Sequence, residues 1–127
     1  MSTRENKEIV RRYWEGRFNQ KDYDVVDQLV ASAADVEQQK SWLDQFHKAW
    51  GDVHVTLDEV VAEGDMVAVH FTFETTHTGE WEGFAPTGKR GTARGMALCW
   101  LQNGKIVKDD VAYSDGYELL AKQADVT

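Results

Sequence analysis

The chain contains one cysteine, Cys99, and one proline, Pro86, in 127 residues. A single thiol excludes an intramolecular disulfide and suits a reducing, cytoplasmic setting. Inside a strand-like run, Cys99 reads first as a small core residue and only second as a nucleophile. Basic side chains are scarce: 14 Lys and Arg stand against 22 Asp and Glu, for a net charge of −8. That balance repels phosphate backbones and anionic membrane surfaces, so neither nucleic acid nor membrane is an expected partner. Long apolar runs are missing too. No stretch approaches the roughly 18 residues of a membrane span, and the polar start MSTRENKEIV has no signal-peptide core. The four histidines show no HxH or HExxH spacing, so no metal site is expected. The run GFAPTGK from Gly83 to Lys89 is not a phosphate cradle, because Arg90 stands where Ser or Thr would bind magnesium and Pro86 removes a backbone donor. No phosphate or other cofactor is implied.

Ring area, by contrast, is plentiful, with five Trp and five Phe in a chain that is 42% hydrophobic. A single domain over residues 1–127 can bury one core and one pocket. Ser2 and Glu5 form a capping-box pattern, after which Ile9, Val10, Tyr13, Trp14 and Phe18 recur at helical spacing. Asp22 or Asp24 can cap a second helix carrying Val25, Val26, Leu29 and Val30. Asp35 with Gln38 predicts a third, whose stripe is Val36, Leu43, Phe46 and Trp50 and whose stop is Gly51.

From Val53 the period falls to two. Val53, Val55, Leu57 and Val61 alternate with His54, Thr56 and Asp58, and after a Glu63-Gly64-Asp65 turn Val67, Val69, Phe71 and Phe73 do the same. A Gly-rich connection leads to a strand from Thr92 to Gln102, which Asn103-Gly104 turns back into Ile106 through Tyr113. Asp115 with Glu118 predicts a short C-terminal helix bearing Leu119 and Leu120. Helices first and a meander after predict an α+β fold, a curved antiparallel sheet covered on one face by three N-terminal helices. The strand around Cys99 is apolar on both faces, Ala97 and Leu101 against Met96, Leu98 and Trp100. One face belongs to the helices; the other is expected to meet a second subunit in a homodimer.

The runs THTGEWEGFAPTGKRGTARG and LQNGKIV and the final ELL resemble the SnoaL-like polyketide cyclase branch of the nuclear transport factor 2-like superfamily. The resemblance spans about nine-tenths of the chain and rests on shared turn motifs: the Gly64-Asp65 turn, the His77–Glu80 strand end, the Ala85–Lys89 loop and the Asn103–Ile106 hairpin. It implies a cone-shaped fold and a small-molecule pocket. It also implies an acid/base Asp at position 111 and an assisting His at position 97, and this chain holds Val111 and Ala97 there. The segment after the second helix, where relatives place a pocket His or Asn, is shortened here to Ala31-Ser32-Ala33-Ala34.

Asp109 and Asp110 are adjacent, so on a strand only one can enter the pocket. Asp109 shares parity with Val107, Val111 and Tyr113, the side assigned to the cavity, although one bulge would exchange it for Asp110. A carboxylate among apolar walls suits a general base for a carbon acid, and His77, on the parity of Phe71 and Phe73, suits a second proton-transfer group. The expected ligand-binding set is Tyr13, Trp14, Phe18, Trp50, Phe71, Phe73, Trp81, Phe84, Val111 and Tyr113, with Tyr13 or Tyr113 donating to an enolate oxygen. The sequence thus supports a cofactor-independent isomerase or cyclase acting next to a carbonyl of a flat, apolar substrate. It also leaves open a non-catalytic ligand-binding protein and a dimeric interaction module. No Asp-Arg-Asp set for epoxide opening is evident.

Overall fold

The computed structural model describes residues 2–115. Three helices come first: α1 (Thr3–Phe18), α2 (Asp24–Leu29) and α3 (Ala33–Ala49). Four strands follow as a meander in the order β1-β2-β3-β4: β1 (Trp50–Glu63), β2 (Met66–His77), β3 (Arg90–Gln102) and β4 (Lys105–Asp115). All neighbouring pairs are antiparallel. This is the α+β architecture that the order of sequence periods implies. The expected C-terminal helix after Asp115 lies outside the described residues.

The first and third helices start at side-chain caps. The Ser2 hydroxyl accepts from the Glu5 amide at 3.1 Å while the Ser2 amide donates to Glu5 Oε1 at 3.2 Å, closing the capping box. The second helix departs from the expected Asp22 or Asp24 cap: its cap position is Tyr23, which makes no side-chain cap bond, and Asp22 Oδ1 accepts from the Asp24 amide at 3.0 Å one residue further out. The third helix begins one turn earlier than its Asp35-Gln38 pattern indicates. Ser32 is its cap, accepting from the Asp35 amide at 3.1 Å, so the small residues Ala33 and Ala34 are the first helical turn. Its end is also earlier: Trp50 is extended, with φ −124° and ψ 105°, and opens β1 instead of completing the helical stripe.

The sheet keeps its alternation with two informative slips. In β1 the register skips Asp58 between Leu57, opposite Phe71, and Glu59, opposite His70. That extra residue reverses the parity beyond it. Val60 and Ala62 therefore face the helices, whereas Val61, expected on the Val53-Val55-Leu57 face, is 61% exposed. The hairpin after β3 turns on Asn103 (φ 53°) and Gly104 (φ 76°), the paired left-handed conformations of a tight two-residue turn.

One apolar core joins α1, α2, α3 and the concave face of the sheet. Trp14, Val10 and Phe18 from α1 meet Val55, Val67, Val69, Phe71 and Phe73. Asn19 fastens the end of α1 to β1, its Oδ1 accepting from the Val55 amide at 2.7 Å and its Nδ2 donating to the Val55 carbonyl at 3.0 Å. At the other edge, Val30 bridges in parallel to Ile106, and the Ala31 amide donates to the Ile106 carbonyl at 2.9 Å. The short segment after α2 thus covers the edge of β4 at Ile106.

Candidate active site

A cavity of about 510 Å³ lies between the helices and β4. Its walls are Tyr13, Trp14, Arg17 and Phe18 from α1, residues 35–42 of α3, Phe73 from β2, and β4 from Ile106 to Tyr113. Such a volume, mostly aromatic and aliphatic with a few polar groups, suits a small flat ligand.

The second slip in register decides which aspartate takes part. Leu101 pairs with Ile106 but Trp100 pairs with Lys108, so Val107 is an extra residue. Beyond it Asp109 stands opposite Cys99, a fully buried residue of the concave face, and Asp110 stands opposite Leu98 on the convex face. Asp109 is half-buried on the cavity wall; Asp110 is exposed beside Lys108, with Oδ2 at 3.8 Å from its Nζ. Lys108 itself places Nζ 4.7 Å from the centre of the Trp100 ring. The positions at which the resemblance implies an acid/base pair, Ala97 and Val111, are direct cross-strand partners. An apolar pair replaces that chemistry, and the strand's carboxylate sits two residues away on the same face.

The expected binding residues separate into two groups. Tyr13, Trp14, Phe18, Phe73, Val111 and Tyr113 line the cavity with Asp109. Trp50, Phe71, Trp81, Phe84 and His77 are not on that wall. Phe71 is core, 4.8 Å from Trp14 and 5.7 Å from Tyr113 between ring centres. His77 is buried and stacked on Trp50 at 4.5 Å, with Trp81 6.3 Å from Trp50 and bridged through its backbone to Phe84. Burial lowers the His77 pKa below the ordinary imidazole value, with the Gly79 backbone opposing it. The enclosed ring packs on Trp50 at the loop end of β2, off the cavity wall.

Arg17 is the residue that the sequence reading misses. It is only 3% exposed, and it lies on the cavity wall. Its guanidinium carbon is 3.8 Å from the centre of the Tyr13 ring and 4.7 Å from that of Phe18. Nε donates to the Tyr13 carbonyl at 3.2 Å and Nη1 to Gln39 Oε1 at 2.5 Å, while the buried Nη2 has no acceptor among the described residues. The signal was available: Trp14, Arg17 and Phe18 share the i, i+3, i+4 face of one helix. Asp35, Gln38 and Gln39 also face the cavity. Asp35, Arg17 and Asp109 thus all line the cavity, a grouping the sequence did not reveal, yet among the described residues no ion pair within 4.0 Å joins Arg17 to either carboxylate.

Tyr13 is held as a phenol. Burial pushes its pKa up to about 12, with Arg17 pulling down and Asp109 pushing up, so near neutrality it is a hydrogen-bond donor. Burial likewise raises the Cys99 thiol to about 11, which leaves it unreactive. Among the described residues no group of three or more His, Cys, Asp or Glu is placed to hold a metal ion.

A helix-capped, curved meander with an aromatic pocket bearing carboxylates defines the class of cone-shaped, small-molecule-pocket proteins. The chain belongs to the SnoaL-like polyketide cyclase family, which it matches over residues 7–122. Solved structures show the same fold. It is similar to AclR from Streptomyces galilaeus, with a TM-score of 0.81 and 22% identity over 99% of this chain and 84% of that one. It is also similar to TsrD from Streptomyces laurentii, with a TM-score of 0.83 and 16% identity over 98% and 96% of the two chains. A SnoaL-like polyketide cyclase from Agrobacterium tumefaciens superposes with a TM-score of 0.77 and 13% identity, covering 100% of both chains. Among curated proteins nothing matches. No helix among the described residues is long and apolar enough to cross a membrane.

Proposed function

We propose that the protein is a cofactor-independent isomerase or cyclase that removes a proton next to a carbonyl of a flat, apolar ligand, with Asp109 as the base. The observation that carries this reading is the Val107 bulge, which turns Asp109 toward a cavity walled by Tyr13, Trp14, Phe18, Phe73 and Tyr113. Rings set the plane of the ligand, the half-buried carboxylate accepts the proton, and the Tyr13 phenol is a donor for the oxygen on which charge develops. His77 has no part in it, being packed on Trp50 away from the cavity wall.

A second reading, a binding protein without turnover, is favoured by the apolar Ala97-Val111 pair at the family's acid/base positions. Deuterium uptake into the methyl group of 2-acetylnaphthalene separates the two. Exchange faster than buffer supports the enzyme, binding without exchange supports the binder, and neither binding nor exchange removes both.

The convex face of the sheet belongs to the same proposal. Val61, Met66, Met96 and Leu98 are 61%, 40%, 55% and 39% exposed there, and a second copy of the chain is the partner that fits this self-complementary strand face. A cytoplasmic setting completes the reading, in keeping with a single buried thiol.

A further inference from the structure

Arg17 is a buried cation whose charge is only partly answered. No carboxylate lies within 4.0 Å of it among the described residues, and it is held by the neutral oxygens of Tyr13 and Gln39. Burying a guanidinium without a counter-ion is costly, and a buried donor without an acceptor adds to that cost. Nη2 is such a donor. A protein of net charge −8 has no general need for a cation at this depth. The cation also lies against rings, its guanidinium carbon 3.8 Å from the centre of the Tyr13 ring, 5.0 Å from that of Trp14 and 4.7 Å from that of Phe18.

We infer that Arg17 is the oxyanion holder of the cavity, so that the substrate class is an enolisable ketone or a phenol-like enol whose oxygen meets the Arg17 guanidinium as its negative charge appears. This rests on the proposed role of Asp109. In the step, the C–H bond next to the carbonyl breaks and its proton passes to the Asp109 carboxylate. The bond pair forms the C=C bond, and the carbonyl π pair moves onto the ligand oxygen. No oxidant, reductant or further reactant is needed. Before the step the cavity is lined by two cations, the buried Arg17 and the exposed Lys108, and by the carboxylates of Asp109 and Asp35. After it Asp109 is neutral and the charge sits on the ligand oxygen. Arg17 then gains a direct, charge-assisted partner that it lacks beforehand, which is stabilisation specific to the charged state. Gln39 is the neutral group that stands on Nη1 until such an oxygen arrives, and being half-exposed it can swing clear.

Asp109→Asn reproduces the state after proton transfer, in which that side chain carries no charge. In this background 4-nitrophenol, whose phenolate absorbs in the visible, reads the charge preference directly, and 4-nitroanisole is the neutral control. The expected result is that bound nitrophenol shows about a tenfold higher ratio of phenolate to phenol than free nitrophenol at the same pH. Adding Arg17→Met abolishes that gain, Arg17→Lys retains part of it, and nitroanisole affinity is unchanged throughout. If nitrophenol binds with the ionisation of the free compound, or if Arg17→Met leaves the gain intact, Arg17 is not the oxyanion holder and the Asp109 reading stands. If neither compound binds, both readings fall. Should Arg17→Met not fold, by its near-ultraviolet circular dichroism, Arg17→Lys decides: a phenolate ratio equal to that of Asp109→Asn alone and equal to free nitrophenol overturns the inference.

Discussion

Arg17 lies over Tyr13, its guanidinium carbon 3.8 Å from the ring centre and its Nε bonded to the Tyr13 carbonyl one helical turn back. The pair joins a permanent cation to a phenol that stays protonated, both lining the cavity that Asp109 also lines. Replacing a buried charge by an apolar side chain of similar length is commonly neutral or stabilising. Arg17→Met is therefore expected to cost no more than about 1 kcal/mol, or to raise the Tm. Urea unfolding measures it, and a loss well beyond that would make Arg17 a structural residue first.

Gly95 occupies the concave face of β3 beneath Phe71. A Cβ at this position would come 2.5 Å from the Ala112 carbonyl oxygen and 2.6 Å from Phe71 Cζ. Gly95→Ala is expected to destabilise by about 1–3 kcal/mol. Phe71→Leu in the same chain relieves the ring contact but not the backbone one, so it should recover only part of the loss by thermal unfolding. Full recovery would show that the carbonyl does not limit the site.

Burial lowers the pKa of both His47 and His77, in the first case against a bond from Nε2 to the Arg17 carbonyl at 2.9 Å. Below the ordinary imidazole pKa of about 6.5 the unfolded chain then binds more protons than the folded one. Stability is fully present above that value and falls as the pH drops through it toward the folded values. Urea midpoints at pH 7.5 and 5.5 should differ in that direction, and His77→Phe, which keeps a ring on Trp50, should flatten the slope. An unchanged slope would assign the dependence to His47 and the carboxylates.

The convex face gives a separate test. Met96→Glu with Leu98→Lys is expected to convert a dimer to a monomer in light scattering at micromolar concentration without moving the far-ultraviolet spectrum. A monomeric wild type would remove the second copy from the account.

Much of the fold was legible because it depends on local rules. The capping box at Ser2, the Asn103-Gly104 turn and the change of period near residue 50 each act within a few residues. What was hidden depends on partners distant in sequence. The β1 slip at Asp58 reverses Val61, and nothing in the run VTLDEVVAE marks it. The bulge at Val107 chooses Asp109 over Asp110 by pairing with β3, a choice that alternation alone leaves open. Trp50, Trp81 and Phe84 look like pocket rings in the sequence, yet they gather with His77 at the loop end of β2. Arg17 looks like a surface cation although Tyr13, Trp14 and Phe18 stand beside it on its own helix; what only the fold supplies is Gln39 of α3, 22 residues away.

Cys99 bears on which group does chemistry. It is fully buried opposite Asp109, with its thiol pKa pushed up to about 11 chiefly by burial. It should not react with a disulfide reagent in the native protein and should react at once in urea. Rapid native labelling would bring a thiol nucleophile back into consideration.

The central claim is that Asp109 removes a proton from a ligand held in the cavity. Its most direct test is proton-deuterium exchange into the methyl group of 2-acetylnaphthalene, followed by NMR for the wild type and for Asp109→Asn with ligand affinity measured alongside. The prediction is that the asparagine variant binds the ketone as the wild type does and exchanges about 10²–10⁴-fold more slowly. Equal exchange by the two proteins would contradict it.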